Sequence, residues 1–366
     1  MARLALRRCA GARAGAAGAA GAGGHGVSAQ HPPGVLFDVL GRADPAAGGP
    51  VRRQPAGARQ RSRRRRIVTA APSPRCRLLT PANWLAARVA RLPQPWLLRL
   101  GAVSTWLLAP LLGRRRRYAR RNLALCFPEL DAHAQRRLLR ATLRATVTGV
   151  LESLRAWFAP AAALRGLVAV EGLEHLAAAR ADGRGVLLLT GHMPHLELGG
   201  RLLSETLGAP IDIVVRHNNR ACLERFIDAA RRRAFAATIG KKDVRGLLRA
   251  LSQGRLVAYA GDQDFSYQHA FVPFFGVPAA TLAAIPQLAA RGNASVLPYW
   301  CQREADGRYR LRIGPPWRGW PSGDAAADAA RYMAELERVV RRHPEQYLWV
   351  HRRFKTRPPG QPDLYA

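Results

Sequence analysis

The rhythm of apolar and polar positions changes character along the chain. Residues 1–75 carry almost no periodic apolar pattern and are rich in Ala, Gly, Pro and Arg. From Trp84 to Leu112 the chain becomes apolar, and the 17 residues from Trp96 to Leu112 are interrupted only by Arg99, Ser104 and Thr105 as polar side chains. Helical spacing then takes over. Pro128 breaks the pattern after Asn122–Phe127, and Asp131 is placed to cap a helix carrying Leu139, Leu143, Val147, Val150 and Leu154 on one side. Beyond Pro160 short apolar runs alternate with amphipathic ones: strands over 166–170, 186–190, 211–215 and 256–259, with helices over 173–180, 196–207, 223–233 and 244–252. A helix over 282–290, strands over 295–301 and 309–313 and a helix over 325–342 follow. This alternation predicts an α/β domain with a mainly parallel or mixed central sheet flanked by helices.

The pattern divides the chain into a disordered basic leader (1–75), a membrane-anchoring helical segment (76–117) and a catalytic domain (118–366). The leader lacks the apolar surface that would offset the entropy of ordering. Its Arg61–Arg66 block fits a basic arm, and its composition also fits a non-conformational leader or an upstream translation from a misassigned start. The apolar stretch lies at the short end for a bilayer span, which needs roughly 20 residues. A short span, a re-entrant helix, an interfacial anchor and the core hairpin of a soluble protein all remain open. Trp84, Trp96 and Trp106 suit the headgroup level, and Arg114–Arg117 directly behind Leu112 favour a cytoplasmic domain.

Charge adds a partner class without choosing one. The formal net charge is +34, and only Lys241, Lys242 and Lys355 of the 58 basic residues are lysines. Such a balance attracts nucleic acid, anionic membrane or an acidic protein. The five cysteines form no C-x-x-C pair and have no histidine at metal-ligand spacing, which points to reduced thiols and no structural zinc.

Candidate chemistry collects at predicted strand ends. His192 follows the strand 186–190, and Glu197 stands five residues later; a histidine near neutrality removes a hydroxyl proton while a carboxylate on its other ring nitrogen fixes the tautomer. His195 competes for the same role, and Glu197 also fits a first-turn acid of the following helix. After the next strand, Arg216 with Asn218 and Asn219 fits a grip on phosphate or carbonyl, as do Lys241 and Lys242 before the helix at Val244, where Asp243 also fits an N-cap; a solvated loop is the plain alternative. Asp262, Gln263 and Asp264, leading to Phe271–Pro278 with Phe274, fit a pocket polar at one end and apolar at the other, or a loop plugging the core. The segment Pro344–Pro358, with Tyr347, Trp349 and Arg352, fits a membrane–water interface or anionic headgroups, and no recognised RNA motif accompanies it.

In this order, the blocks Arg121–Glu129, Gly191–Gly199, Arg216 with Asn218, Lys242–Asp243, Asp262–Asp264, Val272–Gly276 and Pro344–Pro358 resemble the late acyltransferases of lipid A biosynthesis, within the lysophospholipid acyltransferase-like enzymes. The resemblance runs from about Trp84 to the C-terminus. It implies a glycerolipid acyltransferase-like fold on the bacterial inner membrane, facing the cytoplasm. It further implies transfer of an acyl chain from acyl carrier protein, as co-substrate, to a hydroxyl of a phosphorylated glucosamine lipid A precursor, a late step of lipopolysaccharide assembly. No cofactor or metal is required. The family's His-x-x-x-x-Asp/Glu maps onto His192 as general base with Glu197 behind it, leaving His195 a bystander. Arg216, Asn218, Lys242, Asp262, Gln263, Phe274 and Arg352 then become substrate-binding candidates. The intervening Met193–Leu196 departs from the commoner phenylalanine-led pattern. Expected partners are acyl carrier protein, the lipid A precursor and an anionic membrane, with no specific nucleic acid. The rival readings are an acyltransferase for another glycerolipid or glycolipid acceptor, and a non-catalytic basic protein that binds membrane or nucleic acid.

Overall fold

The apolar run 185–190 forms the middle of the sheet. The computed structural model describes residues 79–366, which fall within one compact unit, Thr69–Ala366; the leader expected over 1–75 lies outside the described residues. Helices α1 (Leu79–Ala90), α2 (Gln94–Leu108), α3 (Gly113–Cys126) and α4 (Ala132–Phe158) precede the alternating part. That part runs β1 (Val168–Glu171), α5 (Leu173–Arg180), β2 (Gly185–Thr190), α6 (Leu196–Leu207), β3 (Asp212–Val215), α7 (Ala221–Arg231), β4 (Ala237–Gly240), α8 (Val244–Ser252) and β5 (Leu256–Ala260). A hairpin of β6 (His269–Phe274) and β7 (Val277–Leu282) leads to α9 (Ile285–Arg291), β8 (Ala294–Arg303), β9 (Tyr309–Ile313) and α10 (Ala325–Arg342).

The 7-stranded sheet has the order β1-β9-β8-β2-β5-β3-β4. Strands β8, β2, β5, β3 and β4 run parallel, β9 is antiparallel to β8, and β1 runs with β9, so the sheet is mixed with a parallel centre. Every residue of β2 is buried, as a parallel strand covered on both faces requires. Strand alternation sends Leu187 and Leu189 into the core shared with α10 and the hairpin, and Val186 and Leu188 into the core shared with α6.

Two elements depart from the expected pattern. β4 was not expected as a strand: its residues Ala237–Gly240 hold a single large apolar side chain, Ile239. The segment expected as a stiff loop at Phe271–Pro278 is the β6–β7 hairpin, turned by Phe275 (φ 53°) and Gly276 (φ 74°). A two-residue hairpin loop of type I′ needs positive φ at both positions, and phenylalanine gives little sequence warning of that. Leu282, expected to start a helix, ends β7 instead.

Helices α1 and α2 lie against α4. Gly101 makes the approach possible, since a Cβ there would fall 2.4 Å from Thr148 Oγ1. Buried Arg155 of α4 donates to the carbonyls of Ala90 and Leu92 and to Gln94, and Gln94 donates to Gly307 O and Tyr309 Oη at 3.0 Å each. The outward face keeps Trp84, Trp96, Val103, Trp106, Leu107 and Leu111 exposed, Trp106 by 77%. The helical run Gln94–Cys126 is long and apolar enough to cross a membrane. Residues 117 and 118, where the anchor was expected to give way to the catalytic domain, lie inside α3.

The C-terminal segment is a buried clamp rather than an interfacial belt. Tyr347, Trp349 and Phe354 are buried, and Trp349 stacks on Phe274 at 6.2 Å between centroids. Buried Arg353 donates to Ala280 O (2.9 Å) and Thr281 Oγ1 (2.6 Å) of the hairpin. Buried Asn122 of α3 donates to Trp349 O (2.6 Å) and His351 O (2.7 Å). Large aromatic rings gain most when they have a core to enter, and the hairpin supplies one.

Candidate active site

Adjacent parallel strands place two side chains side by side. Thr190 of β2 pairs with Ala260 of β5, so His192 and Asp262 each stand two residues beyond paired strand ends. His192 Nδ1 lies 2.6 Å from Asp262 Oδ1, and the His192 N–H reaches both carboxylate oxygens at 3.1 Å. Tyr347 donates its phenol to Asp262 Oδ2 at 2.8 Å. Burial would raise the Asp262 carboxyl, but the charge of His192 and the hydrogen bonds from His192 and Tyr347 outweigh it and hold it at about 2. Burial, then the Asp262 charge, raises the Tyr347 phenol and keeps it a donor. An ionised carboxylate only accepts, so in the neutral imidazole Nδ1 carries the proton and Nε2 is the nitrogen that can take one.

The mount is rigid. Tyr332 of α10 donates to Thr190 O at 2.6 Å and accepts from the Gly261 N–H at 3.2 Å, tying both strand ends together. Leu348 N–H donates to His192 O at 3.0 Å. Gly149 of α4 lets the loop approach, since a Cβ there would sit 2.5 Å from Pro194 O.

His192 opens onto a cavity of about 540 Å³ whose walls are largely apolar, including Leu143, Leu196, Ile213, Val215, Phe235 and Ala258. A cleft of about 980 Å³ shares Arg115, Arg216 and His351 with it and adds Lys241, Lys242, Arg352 and Lys355. Burial, then Arg216 and Lys242, lowers Lys241, a sign of crowded positive charge. The cleft's acids are engaged elsewhere: Asp264 accepts from Thr356, and Asp243 caps α8. Burial and then His192 push His351 down to about 4, leaving it a neutral imidazole at the junction.

Glu197 lines the cavity from the first turn of α6, but its carboxylate is held by Arg231 of α7 (Nε at 2.9 Å) and by Trp157 Nε1 of α4 at 3.0 Å. The partner of His192 in the structure is Asp262, from 70 residues away, instead of Glu197. His195 is fully buried, faces Cys301 O at 2.9 Å, and is lowered by its burial.

The remaining expected residues divide. Arg216 borders both spaces, Gln263 lines the cavity, and Lys242 and Arg352 line the cleft, with Arg352 paired to Asp363 at 2.9 Å. Asp262 is wholly buried behind His192, Asn218 organises the start of α7 through Glu224 and Arg220, and Phe274 is packed in the core. Sequence reasoning missed Arg115, Arg231, Tyr332, Tyr347 and His351 as parts of the site, whereas Lys241 beside Lys242 does line the cleft. The basic run in the first turns of α3 and the His351–Lys355 block were visible, but nothing in their spacing joins them to β2 and β5.

Residues 76–356 match the family of bacterial lipid A biosynthesis acyltransferases. The chain is 38% identical over 279 residues to the lipid A biosynthesis palmitoleoyltransferase of Escherichia coli (strain K12), covering 75% of this chain and 90% of that protein. It is 35% identical over 298 residues to the lipid A biosynthesis lauroyltransferase of the same organism, covering 79% and 97%. It is 34% identical over 293 residues to a lipid A biosynthesis acyltransferase of Haemophilus influenzae, covering 77% and 93%. With a strand-end histidine–carboxylate pair over an apolar cavity and a family match across most of its length, the chain is an acyltransferase and belongs to the bacterial lipid A biosynthesis acyltransferase family.

Proposed function

We propose that the protein transfers a fatty acyl chain from the thioester of acyl carrier protein to a hydroxyl of a lipid A precursor, with His192 as general base. The observation that carries this reading is His192, oriented by Asp262, in the wall of an apolar cavity that shares Arg115, Arg216 and His351 with a basic cleft. The cavity takes the acyl chain. The cleft takes the phosphorylated acceptor, which Arg115, Arg216, Lys241, Lys242 and Lys355 complement in charge.

The acceptor hydroxyl gives its proton to His192 Nε2 as its oxygen attacks the thioester carbonyl. The tetrahedral oxyanion forms beside Arg216, Arg115 and His351. Collapse breaks the carbon–sulfur bond, and the leaving thiolate recovers the proton from the imidazolium. General-base help is worth about 10²–10⁴-fold, and each electrostatic donor about 10²–10³-fold. No metal and no covalent enzyme intermediate enters this sequence.

Acyl carrier protein as donor is supported by the basic rim of the cleft, which suits an acidic carrier. The exposed tryptophans and leucines of α1 and α2, beside Arg88, Arg99 and Arg114–Arg117, support docking on the inner membrane with the site on the cytoplasmic side. The test supplies wild type and His192→Ala with acyl carrier protein thioester and lipid A precursor in detergent micelles. Transfer by wild type and a loss of at least 100-fold in the variant is expected; equal rates in both remove His192 from the chemistry. Mass spectrometry of lipid A from a deletion strain decides the acceptor, and an unchanged acylation pattern there refutes it.

A further inference from the structure

The cavity below His192 has a definable floor. Ala258 and Ala260 of β5 line it, as do Ile213 and Val215 of β3, the alternate positions that share one sheet face. Ile213 pairs with Ala258 and Thr190 with Ala260. His192, level with Asp262, therefore stands four residues above Ala258 and Ile213 along the strand direction. At about 3.3 Å per residue this is a depth of about 13 Å.

Phe235 closes the far end. It lies two residues before β4, whose Ala237 pairs with Asp212, so it falls beyond the N-terminal end of β3, on the side opposite His192. It lines the cavity and is otherwise buried. Gly200 of α6 faces it: a Cβ there would lie 3.1 Å from Phe235 Cε1 and 3.8 Å from Ile211 Cδ1. Two small residues, Gly200 of α6 and Ala258 of β5, thus line the passage beside one large ring, Phe235.

We propose that Gly200, Ala258 and Phe235 set the length of acyl chain that this enzyme accepts. The proposal rests on reading the cavity as the acyl site. A zigzag of carbon–carbon bonds of about 1.5 Å places roughly ten carbons above the Ala258 level. The remainder passes between Gly200 and Ala258 and stops at the Phe235 ring. Shortening that ring gives extra methylenes a place, and adding a methyl group at 200 or 258 takes places away. Each methylene gained or lost changes relative transfer by about fourfold.

The experiment offers full-length protein an equimolar mixture of acyl carrier protein thioesters from 10 to 18 carbons, with lipid A precursor, and reads product chain lengths by mass spectrometry. Phe235→Leu and Phe235→Ala are expected to raise the ratio of longer to shorter products by at least tenfold. Ala258→Val and Gly200→Ala are expected to lower it by at least fourfold. Because the ratio compares substrates within one sample, partial unfolding of a variant leaves it unmoved. Unchanged ratios in all four variants, or shifts in one common direction, overturn the proposal. A second arm uses a thioester with a photoreactive diazirine at the chain terminus on wild-type protein. Labelling of the segment bearing Phe235 is expected. Labelling outside the cavity overturns the acyl-site reading and this proposal with it, whereas labelling at Phe235 with unchanged ratios overturns the length rule alone.

Discussion

Asp262→Asn changes one atom of a buried side chain and almost none of its volume. The carboxylate accepts from His192 Nδ1 at 2.6 Å, from the His192 N–H at 3.1 Å and from Tyr347 at 2.8 Å. An amide has a single acceptor oxygen for these donors. If that oxygen stays on Nδ1, the tautomer survives and only the charge is lost. Loss of a charge-assisted hydrogen bond of about 1.5–3 kcal/mol gives about 10- to 160-fold in kcat. If the NH₂ faces Nδ1 instead, the proton moves to Nε2 and the base is occupied, a fault that costs about 10⁴-fold in serine-protease triads. The expected fall in kcat therefore lies between about 10-fold and about 10⁴-fold, measured in single turnover with the melting temperature checked in parallel. The double variant His192→Ala/Asp262→Asn is expected to be no slower than His192→Ala, because both residues serve one function. A kcat within threefold of wild type for Asp262→Asn, or a double variant that multiplies the two losses, refutes the pairing.

Glu197 and Arg231 should act as a second unit. Glu197→Gln and Arg231→Gln are each expected to lose about 1–3 kcal/mol of stability, and the double variant little more than the worse single; additive losses in denaturant titrations would separate them. Gly149→Ala should press on Pro194, at a cost of about 1–3 kcal/mol, and lower kcat at least tenfold while KM moves little; unaltered kcat would show that the His192 loop is not held by this contact. For His351, the folded-state value of about 4 lies below the ordinary 6.5, so the unfolded chain binds the extra proton. Its contribution is intact above pH 6.5 and is lost as pH falls toward 4, by up to about 3 kcal/mol. Melting curves should drop over that window, and drop less in His351→Gln; identical curves for the two proteins exclude the effect.

Much of the fold was legible because its signals are local. The buried run 185–190, the Asp131 cap and the alternation after Pro160 each act within a few residues, and Asp131 does accept from the Ala134 N–H at 2.7 Å. Signals failed where an element is defined by what lies opposite. The aromatic residues of Pro344–Pro358 look interfacial until the β6–β7 hairpin is in place to receive Trp349 and Phe354. Composition gives the propensity of such a segment to leave water, and only the tertiary partner decides whether it enters lipid or protein.

The same distinction governs the site. Sequence spacing pointed to Glu197 because it sits five residues after His192, yet those residues form a loop and the first turn of α6, which carry Glu197 onto the cavity wall toward Arg231. Asp262 is distant in the chain, but register makes it a neighbour: paired positions on adjacent parallel strands advance together, so residues equally far beyond the pair Thr190–Ala260 emerge side by side. A histidine after one central strand and an acid after the next is thus a stronger statement of contact than any short spacing within one loop. Glu197 lines the same cavity, and its bonds to Trp157 and Arg231 tie α4, α6 and α7 together around the space that His192 faces. On the proposed mechanism, chemistry and cavity shape are divided between two carboxylates, one fixed by strand register and the other by helix packing.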